Sequence, residues 1–134
     1  MSAVQHNIAV NMLWCVPGAV GGSEEYFIRQ LRGLVEIDAP FNMTVYAAKG
    51  FSAAHQDLAS AIRIVEAPSR CTSRELRVLL ENTWLASQTT SADMVHHGGG
   101  TLPSRGKSTT LLTIHDVQYL TYPEYFSAVK LRYL

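Results

Sequence analysis

The residues of this chain best suited to chemistry fall in three short segments: Pro17 to Glu25, "PGAVGGSEE"; His96 to Gly100, "HHGGG"; and His115-Asp116. Gly21 and Gly22 lie where an apolar run turns into a helix. Without side chains there, a ligand can reach backbone N–H groups at a helix start, which favours anions, or the glycines can simply make the tight turn between strand and helix. Glu24 and Glu25 weaken attraction for a free phosphate and suit the hydroxyls of a sugar. A phosphate, a sugar or no ligand at all are the three readings of that turn. His115, beside Asp116 at the end of another apolar run, is placed to give or take a proton or hydrogen bond.

Other patterns fail on spacing. A dinucleotide site needs G-x-G-x-x-G and an acidic residue closing the second strand. Here Gly18-Ala19-Val20-Gly21-Gly22 lacks the second glycine, and "VYAAKG" supplies no acid. Gly106-Lys107-Ser108-Thr109 has the tail of a phosphate-binding loop, but Thr101 stands where the first glycine belongs and a strand is expected next, so it is read as a surface turn. His96-His97 and His115-Asp116 are sequence neighbours whose side chains leave a strand on opposite faces, so neither pair chelates one ion without distortion. No metal or cofactor is expected. Gly98 to Gly100 read as loop, and Tyr122, Tyr125 and Tyr133 as packing residues.

Alternating elements must position these groups. Ile8 to Val16, including Cys15, reads as a strand buried on both faces. A helix follows, with Ser23 as N-cap, Glu24 and Glu25 at the positive end of its dipole, and Phe27, Leu31, Leu34 and Val35 as its apolar stripe. Asn42 to Ala48 and Ile62 to Val65 are rich in strand formers; residues 52–60 between them are a weak helix or turn. Thr72-Ser73-Arg74-Glu75 is a T-x-x-E capping box for a helix with Leu76, Leu79, Leu80 and Trp84 facing inward. Ala92 to Gly100 and Thr109 to Asp116 are two more strands, and Ser127 caps a helix running to Leu134. The pattern predicts an α/β fold: a Rossmann-like, mainly parallel sheet with helices on both faces and ligands outside the carboxyl ends of its strands.

Composition narrows the class. The 134 residues, 47% hydrophobic, suffice for one domain with a real core. Lysine plus arginine equal aspartate plus glutamate at 11 each, and no basic run marks a nucleic-acid footprint. Cys15 and Cys71 fit neither a disulfide framework nor zinc spacing and read as the reduced thiols of a cytoplasmic protein. The apolar N-terminal run is interrupted by Asn7 and Asn11 and lacks a positive flank, so it is not expected to act as a signal peptide. No apolar stretch reaches the roughly 18 residues of a spanning helix. The Asn42-Met43-Thr44 sequon, with no secretory route indicated, reads as strand.

Together "PGAVGGSEEYFIRQL", "ADMVHHGGGTLP" and "LLTIHDVQYLTYPEYFSAVKLRYL" resemble the N-terminal domain of GT-B glycosyltransferases of the retaining family-4 group, over nearly the whole chain. The resemblance implies that residues 1–134 are the acceptor-side domain of an enzyme moving a hexose from a nucleotide-sugar donor to a glycan, lipid-linked or small-molecule hydroxyl, in the cytoplasm and with peripheral membrane association open to it. It implies that Gly21 and Gly22 lie against the donor diphosphate and transferred sugar. His115 would reach the transferred sugar, hydrogen-bonding a hydroxyl or helping to stabilise charge at the anomeric carbon. Ser23, Glu24 and Glu25 would face the acceptor, with Asp116 and Tyr125 as further site residues. The family's basic pair, nucleotide pocket and E-x7-E glutamates belong to a second domain that this sequence lacks. The expectation is therefore an incomplete N-terminal domain, inactive alone unless completed by a missing C-terminal domain or partner chain. A non-catalytic binding module or one half of a split enzyme is the alternative.

Overall fold

A computed structural model of the chain describes residues 5–107 and 109–132. Five parallel strands, β1 (His6–Met12), β2 (Phe41–Ala47), β3 (Arg63–Glu66), β4 (Met94–His97) and β5 (Thr110–Leu112), form one sheet in the order β3-β2-β1-β4-β5. Strand order reverses between β1 and β4. The long helix α1 (Gly22–Glu36) and the short helices α2 (Phe51–Ala54) and α3 (Gln56–Ala61) supply one layer. The other comes from α4 (Arg74–Leu80), which runs through a π-helical turn (Glu81–Leu85) into α5 (Ala86–Gln88). After β5 come α6 (Gln118–Thr121), a 3-10 turn (Pro123–Tyr125) and α7 (Ala128–Leu131). This is the expected Rossmann-like α/β architecture, with helices on both faces.

Strand alternation divides the core. Val10, Met12, Val45 and Ala47 pack with Phe27, Ile28 and Leu31 of α1 and with Phe51 and Leu58. Ala9, Leu13, Tyr46 and Ala48 face the other way, against Cys71, Leu85 and Ala92. In the central strands both faces are covered, which is why the sequence reads as continuous apolar runs rather than as alternation.

The sequence expectations err at element ends, each for a local reason. β1 stops at Met12 rather than Val16, because the Asn11 carboxamide oxygen accepts the Leu13 N–H at 3.0 Å and the Trp14 indole N–H donates to the Asn11 carbonyl at 2.9 Å. These bonds fold the chain into a turn, and Cys15 sits beyond it, its N–H bonded to the Met12 carbonyl. The N-cap of α1 is Gly21, not Ser23. Its φ of 63° and ψ of −127° suit glycine, and no side chain caps the helix. Of the expected α1 stripe, Leu34 is half-buried and Val35 exposed; Ile28 takes the buried place beside Phe27 and Leu31.

The cap of α4 is one residue later than the T-x-x-E reading. Ser73 Oγ accepts the Leu76 N–H at 3.2 Å. Leu76 and Leu79 are exposed, while Leu80 and Trp84 only border the core. The π-helical turn adds a residue to its cycle and rotates the inward face, bringing Glu81 and Leu85 into the interior. Tyr122 and Tyr125 are exposed rather than packed into the core, and Tyr133 lies outside the described residues. Ser127 does cap α7, accepting the Lys130 N–H. No helix among the described residues is long and apolar enough to cross a membrane.

Gly98 and Gly99, read from sequence as plain loop, are packing requirements. A Cβ on Gly98 would lie 2.5 Å from Phe27 Cζ, and one on Gly99 2.8 Å from Trp14 Cγ. Both aromatic side chains are buried. Gly98→Ala is expected to lower stability by about 1–3 kcal/mol, whereas Gly22→Ala, whose Cβ meets open space, is expected to change it by less than about 0.5 kcal/mol. Urea midpoints of the two variants test this; equal midpoints would remove the packing role of Gly98.

Candidate functional site

Three strand ends meet at the carboxyl edge of the sheet, beside the point where strand order reverses. His115, three residues past β5, brings its Nε2 to 2.9 Å from the Gly98 carbonyl, one residue past β4. A carbonyl only accepts, so Nε2 carries the proton and Nδ1 is the ring nitrogen left for a ligand. The His115 ring lies 5.8 Å from Trp14, which follows β1, and 5.8 and 5.7 Å from Tyr26 and Phe27 in the second turn of α1. Phe27 joins the group, with ring centroids 5.5 Å from Trp14, 5.6 Å from Tyr26 and 5.2 Å from His96. These tilted and edge-on contacts suit aromatic quadrupoles. His115 is thereby fixed on one side and exposed on the other.

The glycine turn is braced from within. Glu24, expected among the ligand-facing groups, has both oxygens committed: one accepts the Gly18 N–H at 2.9 Å and the other the His55 Nε2–H at 2.9 Å. The side chains of Glu24 and His55 are only 12% and 14% exposed, so the pair is a shielded strut holding the loop to α2 and α3. Gly18 and Gly21 have positive φ, and the space beside Gly21 and Gly22 is open. Ser23 is half-buried. Glu25 turns outward to an exposed ion pair with Arg29, which lowers its proton affinity. Asp116 closes a turn by accepting the Gln118 N–H at 3.2 Å. Tyr125, 78% exposed on the 3-10 turn, donates its N–H to the Tyr122 carbonyl at 3.2 Å and sets its ring 5.9 Å from the Tyr122 ring. The structure thus groups His115 and Asp116 with Gly98 to Gly100 and the start of α1, and leaves Tyr125 at the periphery.

A cavity of about 460 Å³ opens beside His115. Its lining includes Gly99, Gly100, His115 and Asp116, with Arg74 and Arg77 from α4 and Lys130 from α7. The three basic residues share no motif in the sequence and are brought together by the fold. Another cavity, of about 320 Å³, lies at the amino ends of the strands around Asp38, Phe41 and Arg63, away from the edge where such sheets place ligands.

The opposite face of the same edge carries a buried polar network. Asn11 is 1% exposed; its Nδ2 donates to Glu81 Oε1 at 3.0 Å and lies 3.0 Å from His97 Nδ1. Burial pushes the Glu81 carboxyl up, with the Asn11 hydrogen bond and Arg77 opposing, and burial with His96 nearby depresses His97 to about 4. A neutral His97 accepts at Nδ1, consistent with the Asn11 geometry. His96, on the other face, pairs with Thr113 Oγ1 at 2.7 Å and the Phe27 ring, so the two histidines do point apart. Among the described residues no group of three or more His, Cys, Asp or Glu is placed to hold a metal. Burial raises both thiols, Cys15 to about 12 with Glu24 adding to the shift, so neither is an activated nucleophile. Asn11 inside an apolar strand was the sequence signal for this network.

Comparison with protein-family models, curated proteins and solved structures gives no match.

The His97 shift sets a pH dependence. Its folded value, about 4 against an ordinary 6.5, means that the unfolded chain binds more protons between those limits. The associated stability is present above about pH 6.5 and is lost as pH falls through about 4. Glu81 acts oppositely: its raised value favours the folded state below the ordinary 4.5 and loses that contribution as pH rises. His97→Gln keeps an acceptor for Asn11 and removes this titration. Between about pH 7 and pH 4 the unmodified chain is expected to lose up to about 3 kcal/mol more than H97Q, read from urea midpoints. Parallel pH profiles would exclude a neutral buried His97.

Proposed function

We propose that this chain is the acceptor-side domain of a retaining glycosyltransferase that moves a hexose from a nucleotide sugar to a hydroxyl. The observation that carries the reading is the meeting of the three resembling motifs at one edge: the glycine turn leading into α1, the Gly98 loop and His115. The glycine turn is far from the other two in sequence; in the fold all three lie at the carboxyl ends of β1, β4 and β5.

In this reading the open backbone of Gly21 and Gly22 admits the donor diphosphate and sugar close to α1. His115, oriented by its Nε2–H bond to Gly98, offers Nδ1 to a hydroxyl of the transferred sugar. Glu24 holds the turn in shape rather than touching the acceptor. Stabilisation of the departing nucleotide, commonly the largest catalytic contribution, comes from a second domain or partner chain. This chain alone is accordingly expected to turn over little or no sugar nucleotide.

His115→Ala in a polypeptide that also carries the donor domain is expected to lower transfer by about 10²-fold while the protein still melts cooperatively at a moderately lower temperature, because the variant loses the Gly98 hydrogen bond and the ring contacts with Trp14, Tyr26 and Phe27. Steady-state rates with UDP- and GDP-hexoses, beside thermal melts, test this. Unchanged transfer in the variant would overturn the role given to His115, and no stabilisation of the full-length protein by any sugar nucleotide would overturn the transferase reading. A donor at about 100 times its Kd should add roughly 2.7 kcal/mol.

A further inference from the structure

The glycine turn is tied by a run of side-chain bonds that begins at the far edge of the sheet. Glu66 closes β3, and its two carboxylate oxygens accept the Gly50 N–H at 3.1 Å and the Ser52 N–H at 2.8 Å, which fixes the start of α2. Phe51, fully buried, packs its ring 4.7 Å from the His55 ring, and its carbonyl accepts the His55 N–H at 3.0 Å. His55 stands where α2 passes into α3, and its Nε2–H reaches Glu24, whose other oxygen accepts the Gly18 N–H. The run joins the carboxyl ends of β3, β2 and β1 in the order of the sheet. Within the turn, the Ala19 N–H bonds the Val16 carbonyl at 3.0 Å, and Gly18 and Gly21 hold positive φ that glycine adopts freely. Glu24 supplies the side-chain anchor, and His55 fixes which way that carboxylate points.

We propose that His55 is a positioning residue for the donor: acting through Glu24, it holds the turn from Gly18 to Gly22 in the shape that receives a sugar nucleotide. What the turn receives rests on the transferase reading; that His55 sets the turn does not. A direct role does not suit this histidine, because its side chain is shielded and its Nε2–H is spent on Glu24. Hydrogen bonds to a carboxylate are among the stronger ones, and a shielded carboxylate that loses one of two partners carries a desolvation cost. Without the His55 donor, Glu24 is free to turn toward solvent and release the Gly18 N–H. The open backbone beside Gly21 and Gly22 then loses its fixed approach.

The test reads hydrogen exchange at the Gly18 amide by NMR in this chain, and the KM for UDP- and GDP-hexoses in a polypeptide that joins it to a donor domain. His55→Leu keeps an apolar side chain against Phe51 and removes the donor, whereas His55→Gln keeps a donor. H55L is expected to speed Gly18 exchange about tenfold. It is also expected to raise the sugar-nucleotide KM about threefold to tenfold, with a smaller change in kcat. H55Q should restore both to within about twofold of the unsubstituted protein. Glu24→Ala should have at least the effect of H55L, and adding H55L to it should change Gly18 exchange no further, because His55 acts through Glu24. Unchanged Gly18 exchange in H55L, or additive effects of the two substitutions, would overturn the proposal. A loss that H55Q does not restore, or that spreads to the Gly98 and Gly99 amides, would make His55 an ordinary packing residue and overturn it too. Faster Gly18 exchange with KM unchanged would overturn the role in donor binding. If the unsubstituted joined polypeptide binds no sugar nucleotide, the transferase reading falls, and the exchange results still decide whether His55 sets the turn.

Discussion

The ring of Phe27 rests against the backbone of Gly98 at a separation that no Cβ would tolerate, and the carboxyl edge of the sheet is organised around that contact. It draws the start of α1 over the end of β4. That places Trp14 against Gly99 and leaves the Gly98 carbonyl free to accept from His115. Four aromatic or imidazole rings then pack around Phe27 within 5.2 to 5.7 Å. Because interiors are close-packed, a change in any one of these positions is transmitted to the others. The candidate site is therefore held by packing beneath it together with the Glu24 bonds of the glycine turn and the His115–Gly98 bond.

The two faces of the sheet contribute in different ways. On the α1 face the edge is apolar and aromatic, which fixes positions without imposing charge. On the α4 face, Asn11 ties β1 to β4 and to the π-helical turn through Glu81 and His97. A satisfied buried network of this sort stabilises one arrangement and penalises others, since any member left unpaired carries a desolvation cost. Arg77 adds a favourable charge near the Glu81 carboxyl, opposing the effect of burial.

Much of this was legible in the sequence. Long apolar runs separated by an amphipathic helix announce a parallel sheet, because strands covered on both faces and a helix covered on one leave different patterns. Adjacent histidines on a strand had to diverge, and they do. What the sequence hid depended on side chains borrowed from elsewhere. β1 ends early because Asn11 and Trp14 turn back on it. The π-helical turn moves Glu81 inward against the expected apolar stripe of Leu76, Leu79, Leu80 and Trp84, and Ser73 rather than Thr72 takes the cap of α4. Gly98 and Gly99 looked like loop because the aromatic residues that need their absent side chains lie about 70 to 85 positions away. Arg74, Arg77 and Lys130 have no common motif, only a common cavity.

A glycine turn first open to a phosphate, a sugar or no ligand stands beside a fixed histidine, and the same histidine lines a cavity of about 460 Å³. In the proposed division of labour the turn meets the donor and His115 meets the transferred sugar. Retention at the anomeric carbon is the chemical signature of that account. The most direct test is to follow transfer from an α-linked nucleotide sugar by proton NMR, using a polypeptide that joins this chain to a donor domain of the kind the account requires, and to read the anomeric coupling of the product as it first forms. The account predicts an α-linked product; a β-linked product, or no transfer from any nucleotide sugar, would contradict it.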